Sequence, residues 1–114
     1  MSVRRFTPNE FLRDTDGTLR WGMVIRKTLL QQALTVGTTA IKLPTSALSD
    51  RIGLVIVNNS TSGQILYIGD ATVTTANGIP LYPRQSIPIA IEDDVEVYGI
   101  SSAADADIRI LESS

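Results

Sequence analysis

Two short apolar runs separated by a polar loop form the clearest pattern in the chain. Residues 52–57 and 65–68 are rich in β-branched side chains and are too short to be capped helices. The residues between them are Asn, Ser, Thr, Gly and Gln, most of which favour turns. This pattern predicts a β-hairpin at the centre of a β-sandwich. Because each run is apolar at successive positions, we expect both faces of both strands to be covered.

Other segments alternate between apolar and polar positions. Ile87, Ile89 and Ile91 share one face of a predicted strand, and Ile108 and Ile110 share the core face of the last one. Further short strands are predicted in residues 36–43, with a break near Gly37, and in residues 95–100. The total is seven or eight short strands, typical of an all-β, single antiparallel β-sandwich or jelly-roll-like domain.

Proline and glycine mark where the strands end. Asn77-Gly78 is the strongest tight-turn signal, and residues 43–48 form a proline turn. Pro80, Pro83 and Pro88 lie close together, and proline cannot donate to a strand ladder, so this region should lie at a sheet edge. Residues 22–36 are compatible with helix by propensity, but we favour strand.

The beginning of the chain differs from the rest in charge. Residues 1–30 carry a net charge of +3, whereas residues 31–114 carry −5. We therefore divide the chain into an extended N-terminal arm, residues 1–30, and a β-sandwich domain, residues 31–114. Thr7-Pro8-Asn9-Glu10 resembles a capping box, and Asp14-Thr15-Asp16-Gly17 indicates a turn rather than a calcium loop. The arm residues predicted to bind a partner are Arg4, Arg5, Phe6, Phe11, Leu12, Arg13, Arg20 and Trp21.

The composition excludes several classes of function. The chain contains no cysteine and no histidine, so disulfides, cysteine- or histidine-based zinc sites and histidine-dependent nucleophiles cannot form within it. The carboxylates in residues 92–96 are expected to form a solvated turn rather than a catalytic pair. We predict a protein that is not an enzyme and has no cofactor or metal. No apolar run is long enough to span a membrane, and Arg26-Lys27 on an acidic chain does not indicate nucleic-acid binding.

Several segments, in this order, resemble small β-sandwich structural proteins of tailed bacteriophages, which serve as capsid decoration (cement) proteins or as neck and tail components. The similarity covers residues 34–112 and leaves the first 33 residues outside. Tyr82-Pro83-Arg84-Gln85 stands where a glycine-rich turn would be expected. The segments that carry the resemblance are Leu34-Thr35-Val36-Gly37-Thr38-Thr39-Ala40, Leu43-Pro44, Leu54-Val55-Ile56-Val57-Asn58, Ile65-Leu66-Tyr67-Ile68-Gly69, Val73-Thr74-Thr75-Ala76-Asn77-Gly78, Val97-Tyr98-Gly99-Ile100-Ser101-Ser102 and Ile108-Arg109-Ile110-Leu111-Glu112.

The resemblance implies a non-enzymatic protein that is made in the host cytoplasm and assembled into the virion. We expect a decoration protein on the outer surface of the head that binds the major capsid protein or other virion proteins. A homo-oligomer is expected, with a trimer favoured. The alternative is a neck, tail or fibre-base protein. A carbohydrate-binding module is a further alternative, and it predicts that Tyr67, Tyr82 or Tyr98 are exposed together on one face.

Overall fold

The computed structural model describes residues 25–114, which form eight β-strands with no helix among them. The strands are β1 (Leu29–Val36), β2 (Ile41–Lys42), β3 (Gly53–Asn58), β4 (Leu66–Gly69), β5 (Ile79–Leu81), β6 (Ser86–Ile89), β7 (Tyr98–Ser101) and β8 (Ala106–Ser113). They form two four-stranded antiparallel sheets, in the orders β1-β8-β3-β6 and β2-β7-β4-β5. The predicted all-β sandwich is therefore confirmed.

The core lies between the two sheets and is aliphatic. Leu54 and Ile56 of β3 are buried together with Ile108 and Ile110 of β8, and the second sheet contributes residues such as Leu66. The predicted core face of the last strand is therefore confirmed. The three isoleucines of residues 87–91 are half-buried and pack against this core, as their alternation predicted.

The predicted hairpin between residues 52–57 and 65–68 is wrong. The first run forms β3, which pairs with β6 and β8, whereas the second forms β4, which pairs with β5 and β7 in the other sheet. The connecting loop therefore crosses between sheets instead of turning back within one. Burial along β3 also alternates, so the outward Val55 and Val57 are only half-buried.

Asn58 joins the two sheets where the chain crosses between them. This side chain is fully buried at the end of β3, and its amide nitrogen donates to the carbonyl oxygens of Gln64 and Leu81, both at 2.9 Å. Its side-chain oxygen accepts the backbone N–H of Ser60 at 3.1 Å. Buried polar groups need such partners, and here the partners lie in the loop and in the second sheet.

Two of the three neighbouring prolines lie at sheet edges, as the sequence predicted. Pro80 is in β5 and Pro88 is in β6, and both strands are at the edges of their sheets. The turn at Asn77-Gly78 is also confirmed, because the N–H of Gly78 donates to the carbonyl oxygen of Thr74 at 2.9 Å. A Cβ at Gly78 would lie 2.7 Å from the Cβ of Tyr67 and 2.7 Å from Cγ2 of Val73, so this position has room only for glycine.

The ambiguous segment before residue 36 is a strand over Leu29–Val36, and it pairs with β8 along its whole length. It begins two residues before the predicted start of the domain. The backbone N–H groups of Arg26, Lys27 and Thr28 donate to the carbonyl oxygen of Ser114, at 2.7, 2.6 and 3.4 Å. This stretch of the predicted arm is therefore attached to the domain by its backbone.

A buried ion pair closes one end of the sandwich. Nη1 of Arg51 lies 3.0 Å from Oε2 of Glu112, and the two residues are 2 % and 0 % exposed. Nη2 of Arg51 donates to the carbonyl oxygens of Glu92 and Val95, and the N–H of Leu48 donates to Glu112. The pair therefore joins β8 to two loops that are distant in sequence.

We expect Glu112→Leu to lower the free energy of unfolding by about 3–5 kcal/mol, because it leaves the guanidinium of Arg51 buried without its partner. The double variant Arg51→Met, Glu112→Leu should recover most of that loss, because neither charge is then buried. Denaturant titration of the three proteins measures the effect. A Glu112→Leu protein as stable as the parent would contradict this account of the pair.

Candidate interaction surface

The outward face of the first sheet carries a group of neighbouring apolar side chains. Residues alternate between the two faces of each strand, so the neighbours of buried core residues point outward. Val55 of β3 lies opposite Leu111 of β8 on one side and Pro88 of β6 on the other. We call this surface the apolar face and define it by Leu29, Ala33, Val55, Val57, Pro88 and Leu111.

The apolar face contains little charge. Of the outward residues of these four strands, only Asp107 and Arg109 are charged, and they pair with each other through two hydrogen bonds of 2.9 and 3.1 Å. A shallow cavity of about 290 Å³ lies beside them and is lined in part by Ala33, Val57 and Leu111. The water-facing side of an antiparallel sheet normally carries mainly polar residues, so a face with this many apolar residues suits contact with another protein.

Hydrogen bonds shift the pKa values of the two charged residues at one end of the apolar face, Asp107 and Arg109. Donation from Arg109 lowers the pKa of Asp107, and donation from Nδ2 of Asn59 at 2.9 Å lowers this pKa further. The pairing in turn raises the pKa of Arg109. Oδ1 of Asn59 also accepts a hydrogen bond of 2.7 Å from Arg84. The two charges at this end are thus paired with each other, so a partner that covers them does not bury an isolated charge.

The second sheet presents tyrosines on its outward face. Tyr67 and Tyr98 lie on the adjacent strands β4 and β7, and Tyr98 is opposite Gly69. Both side chains are half-buried, whereas Tyr82 is 49 % exposed and follows β5. Two of the three tyrosines therefore share a face. Beside them Lys42 forms an ion pair of 2.6 Å with Glu96, and this carboxylate raises the pKa of Lys42.

The carboxylates of residues 92–96 are exposed, so the predicted solvated turn is confirmed. Oδ2 of Asp93 accepts the backbone N–H of Asp50 at 2.8 Å, which links this turn to the loop before β3. A pocket of about 410 Å³ opens here, and its lining includes Arg26 and Lys27 as well as acidic residues. Among residues 25–114, no group of three or more acidic side chains is arranged to hold a metal ion.

The eight residues predicted to bind a partner lie outside the residues that the structure describes, so they remain predictions. The apolar face is a different surface, and the sequence analysis did not identify it. Its signal was present in Val55, Val57 and Leu111, which are apolar at positions that alternate with core residues. The sequence pattern predicted that both faces of the strand containing Val55 and Val57 are covered, and it placed Leu111 on the face of the last strand opposite the core.

Comparisons with known proteins add no family assignment. No protein-family model matches this chain, and no curated protein matches it either. In the part of the chain that the structure describes, no helix is long and apolar enough to cross a membrane.

The pair at Asp107 predicts a specific pH dependence. The pKa of Asp107 in the folded protein is below its ordinary value of 3.8. The stabilisation that the ionised carboxylate of Asp107 gives the fold is therefore complete at pH values above the ordinary pKa. This stabilisation is lost as the pH falls through the lowered pKa of the folded protein, because the carboxylate is then protonated. Asp107→Asn should therefore cause a small loss of stability near neutral pH, because the pair is half-exposed, and no loss in strong acid.

Urea titrations of the parent and the variant, at neutral and acidic pH, measure this difference. Asp94→Asn is the matched control, because it removes an exposed carboxylate that makes no ion pair among residues 25–114. A stability difference for Asp107→Asn that persists unchanged into strong acid would show that the variant acts through something other than the charge of Asp107.

Proposed function

We propose that this chain is a non-enzymatic structural protein of a bacteriophage particle, and specifically a capsid decoration protein on the outer surface of the head. Its work is to bind the assembled shell and to stabilise it. The phage assignment is supported by the resemblance carried by residues 34–112. The assembly role is supported by the apolar face, which is the observation on which the proposal chiefly depends.

The apolar face supports assembly because of its free energy in water. Val55, Val57 and Leu111 are half-buried in the domain, so a partner that covers them removes the remaining apolar area from water. Each 100 Å² of apolar surface covered contributes about 2.5 kcal/mol before the costs of association are subtracted. A protein surrounded only by solvent gains nothing from keeping such residues on the outer face of a sheet.

The charge distribution supports a role in assembly for residues 1–24 of the N-terminal arm, which we call the leading segment. Residues 25–114 carry six basic and nine acidic side chains, whereas residues 1–24 carry four basic and three acidic ones. The four arginines of the leading segment can pair with acidic surfaces on the major capsid protein or on a neighbouring copy. Phe6, Phe11, Leu12 and Trp21 supply the apolar anchors of the same segment.

The stabilising mechanism is mass action. A protein that binds the assembled shell and not its separated subunits shifts the equilibrium toward assembly, by an amount that grows with its concentration relative to the dissociation constant. Particles that lack this protein should therefore lose their contents at a lower temperature than complete particles, and adding the purified protein back should restore their heat resistance.

Thermal release of the packaged genome, followed by fluorescence of a nucleic-acid dye, measures that stability. Equal heat resistance of the two kinds of particle would refute the cementing role. The copy number per particle separates the head from the alternative location: many copies, in proportion to the shell subunits, support a decoration protein, and few copies indicate a neck or tail component. Binding to a glycan array without any effect on particles would instead indicate the carbohydrate-binding module, for which Tyr67 and Tyr98 supply a shared face.

The apolar face can be tested directly with Val55→Glu. Covering the new carboxylate with a partner removes a charge from water, so binding to particles that lack the protein should weaken at least about tenfold. Thr75→Glu adds the same charge at an exposed position of the loop between β4 and β5 and should bind normally. Cosedimentation with the particles measures both.

A milder variant at the same position separates a loss of binding from a loss of folding. Val55→Thr keeps the β-branched shape and adds only a hydroxyl group, so it should fold and show an intermediate loss of binding. Circular dichroism and thermal unfolding establish that each variant is folded. Undiminished binding by a folded Val55→Glu protein would remove the apolar face from the proposed function.

A further inference from the structure

Within the described part of the chain, residues 25–114, one strand edge lacks the usual protection. Of the four edge strands, β5 contains Pro80, β6 contains Pro88 and β2 has only two residues. The fourth, β1, is eight residues long and contains neither proline nor a charged residue. Natural proteins protect sheet edges with prolines, charges or short strands, because an open edge is a template for pairing with another chain.

The backbone groups at this open edge can be identified from the hydrogen bonds on the other side. Thr28 and Ser114 exchange both backbone hydrogen bonds, at 3.4 and 2.9 Å. In an antiparallel ladder such pairs alternate, so the even-numbered residues of β1 bond to β8. The N–H and C=O groups of Leu29, Gln31, Ala33 and Thr35 therefore point to the open edge, where they have no strand partner among residues 25–114.

We propose that this edge pairs with the β1 strand of a second copy of the chain, antiparallel about a twofold axis at Gln32. The absence of charge from Leu29–Val36 favours a second copy, because two identical strands then place no like charges opposite each other. The two first sheets become one sheet of eight strands, and their apolar faces become continuous through Leu29 and Ala33.

The twofold register is also sterically complementary. On the outward face it places Gln31 opposite the partner's Ala33, and Leu29 opposite the partner's Thr35, so a larger side chain meets a smaller one. On the inward face Leu30 meets the partner's Leu34, and Gln32 meets its own counterpart. The Gln32 pair is a non-hydrogen-bonded pair, in which the side chains of two antiparallel strands approach most closely.

A proline substitution at Gln31 tests the edge without touching the fold. Its N–H points to the open edge, so Gln31→Pro removes a donor to the second copy and keeps every β1–β8 hydrogen bond. Gln32→Pro instead removes a bond to β8 and should lower the unfolding temperature. Sedimentation equilibrium of the full chain should show a dimer for the parent and at least about a tenfold weaker dimer for Gln31→Pro.

Cysteine substitution tests the register. The chain contains no cysteine, so Gln32→Cys places a single thiol beside its counterpart at the axis, within reach of a disulfide. Mild oxidation should convert this variant to covalent dimers. Ser62→Cys, in the exposed loop between β3 and β4, is the control for random collision and should remain largely monomeric on a denaturing gel.

Paired charge substitutions test the register without a covalent bond. Gln31→Lys combined with Ala33→Lys puts like charges opposite each other and should prevent dimer formation. Gln31→Lys combined with Ala33→Glu puts opposite charges across the axis and should retain the dimer.

A parent chain that stays monomeric at all concentrations would overturn the proposal and would indicate that this chain's own leading segment covers the edge. A trimer whose mass survives Gln31→Pro would overturn it as well. These measurements use the isolated chain, so their outcome is independent of whether the protein stabilises a particle.

Discussion

The guanidinium of Arg51 and the carboxylate of Glu112 are buried together at one end of the sandwich, where either charge alone would be strongly unfavourable. Their positions constrain the surrounding chain, because Arg51 also holds two carbonyl oxygens of the loop after β6 and Glu112 holds the backbone of the loop before β3. The two central strands of the first sheet, β3 and β8, are therefore fixed at this end by polar contacts rather than by the apolar core.

Asn58 has the corresponding role at the other end of β3, where its amide joins the first sheet to Leu81 of the second. With both ends of β3 held, the first sheet has two features that no other part of residues 25–114 covers. One is the apolar face, and the other is the open edge of β1. They adjoin at Leu29 and Ala33, so a partner at the edge and a partner on the face would meet. Because the interior of this small domain is held by these polar contacts, a partner that binds either feature would not require the domain to rearrange.

Local sequence patterns predicted much of the fold. The alternation in residues 86–91 and 108–110 identified core faces correctly, and Pro80 and Pro88 identified edge strands, because each depends only on geometry within one strand. The predicted hairpin failed because turn residues in the 58–64 loop are compatible with both a return within one sheet and a crossing to the other. The apolar face was missed for a related reason: the sequence marks Val55 as apolar and does not say whether anything covers it.

The amino-acid sequence by itself determined the all-β class, most strand positions, the aliphatic core and the absence of cysteine and histidine chemistry. These follow from side-chain composition and from the two-residue period of a strand. Tertiary structure alone decided which strands are neighbours, that Arg51 meets Glu112 across 61 residues of sequence, and which apolar positions face outward. Those features depend on contacts between segments far apart in the chain, and no local pattern encodes the partner of a strand.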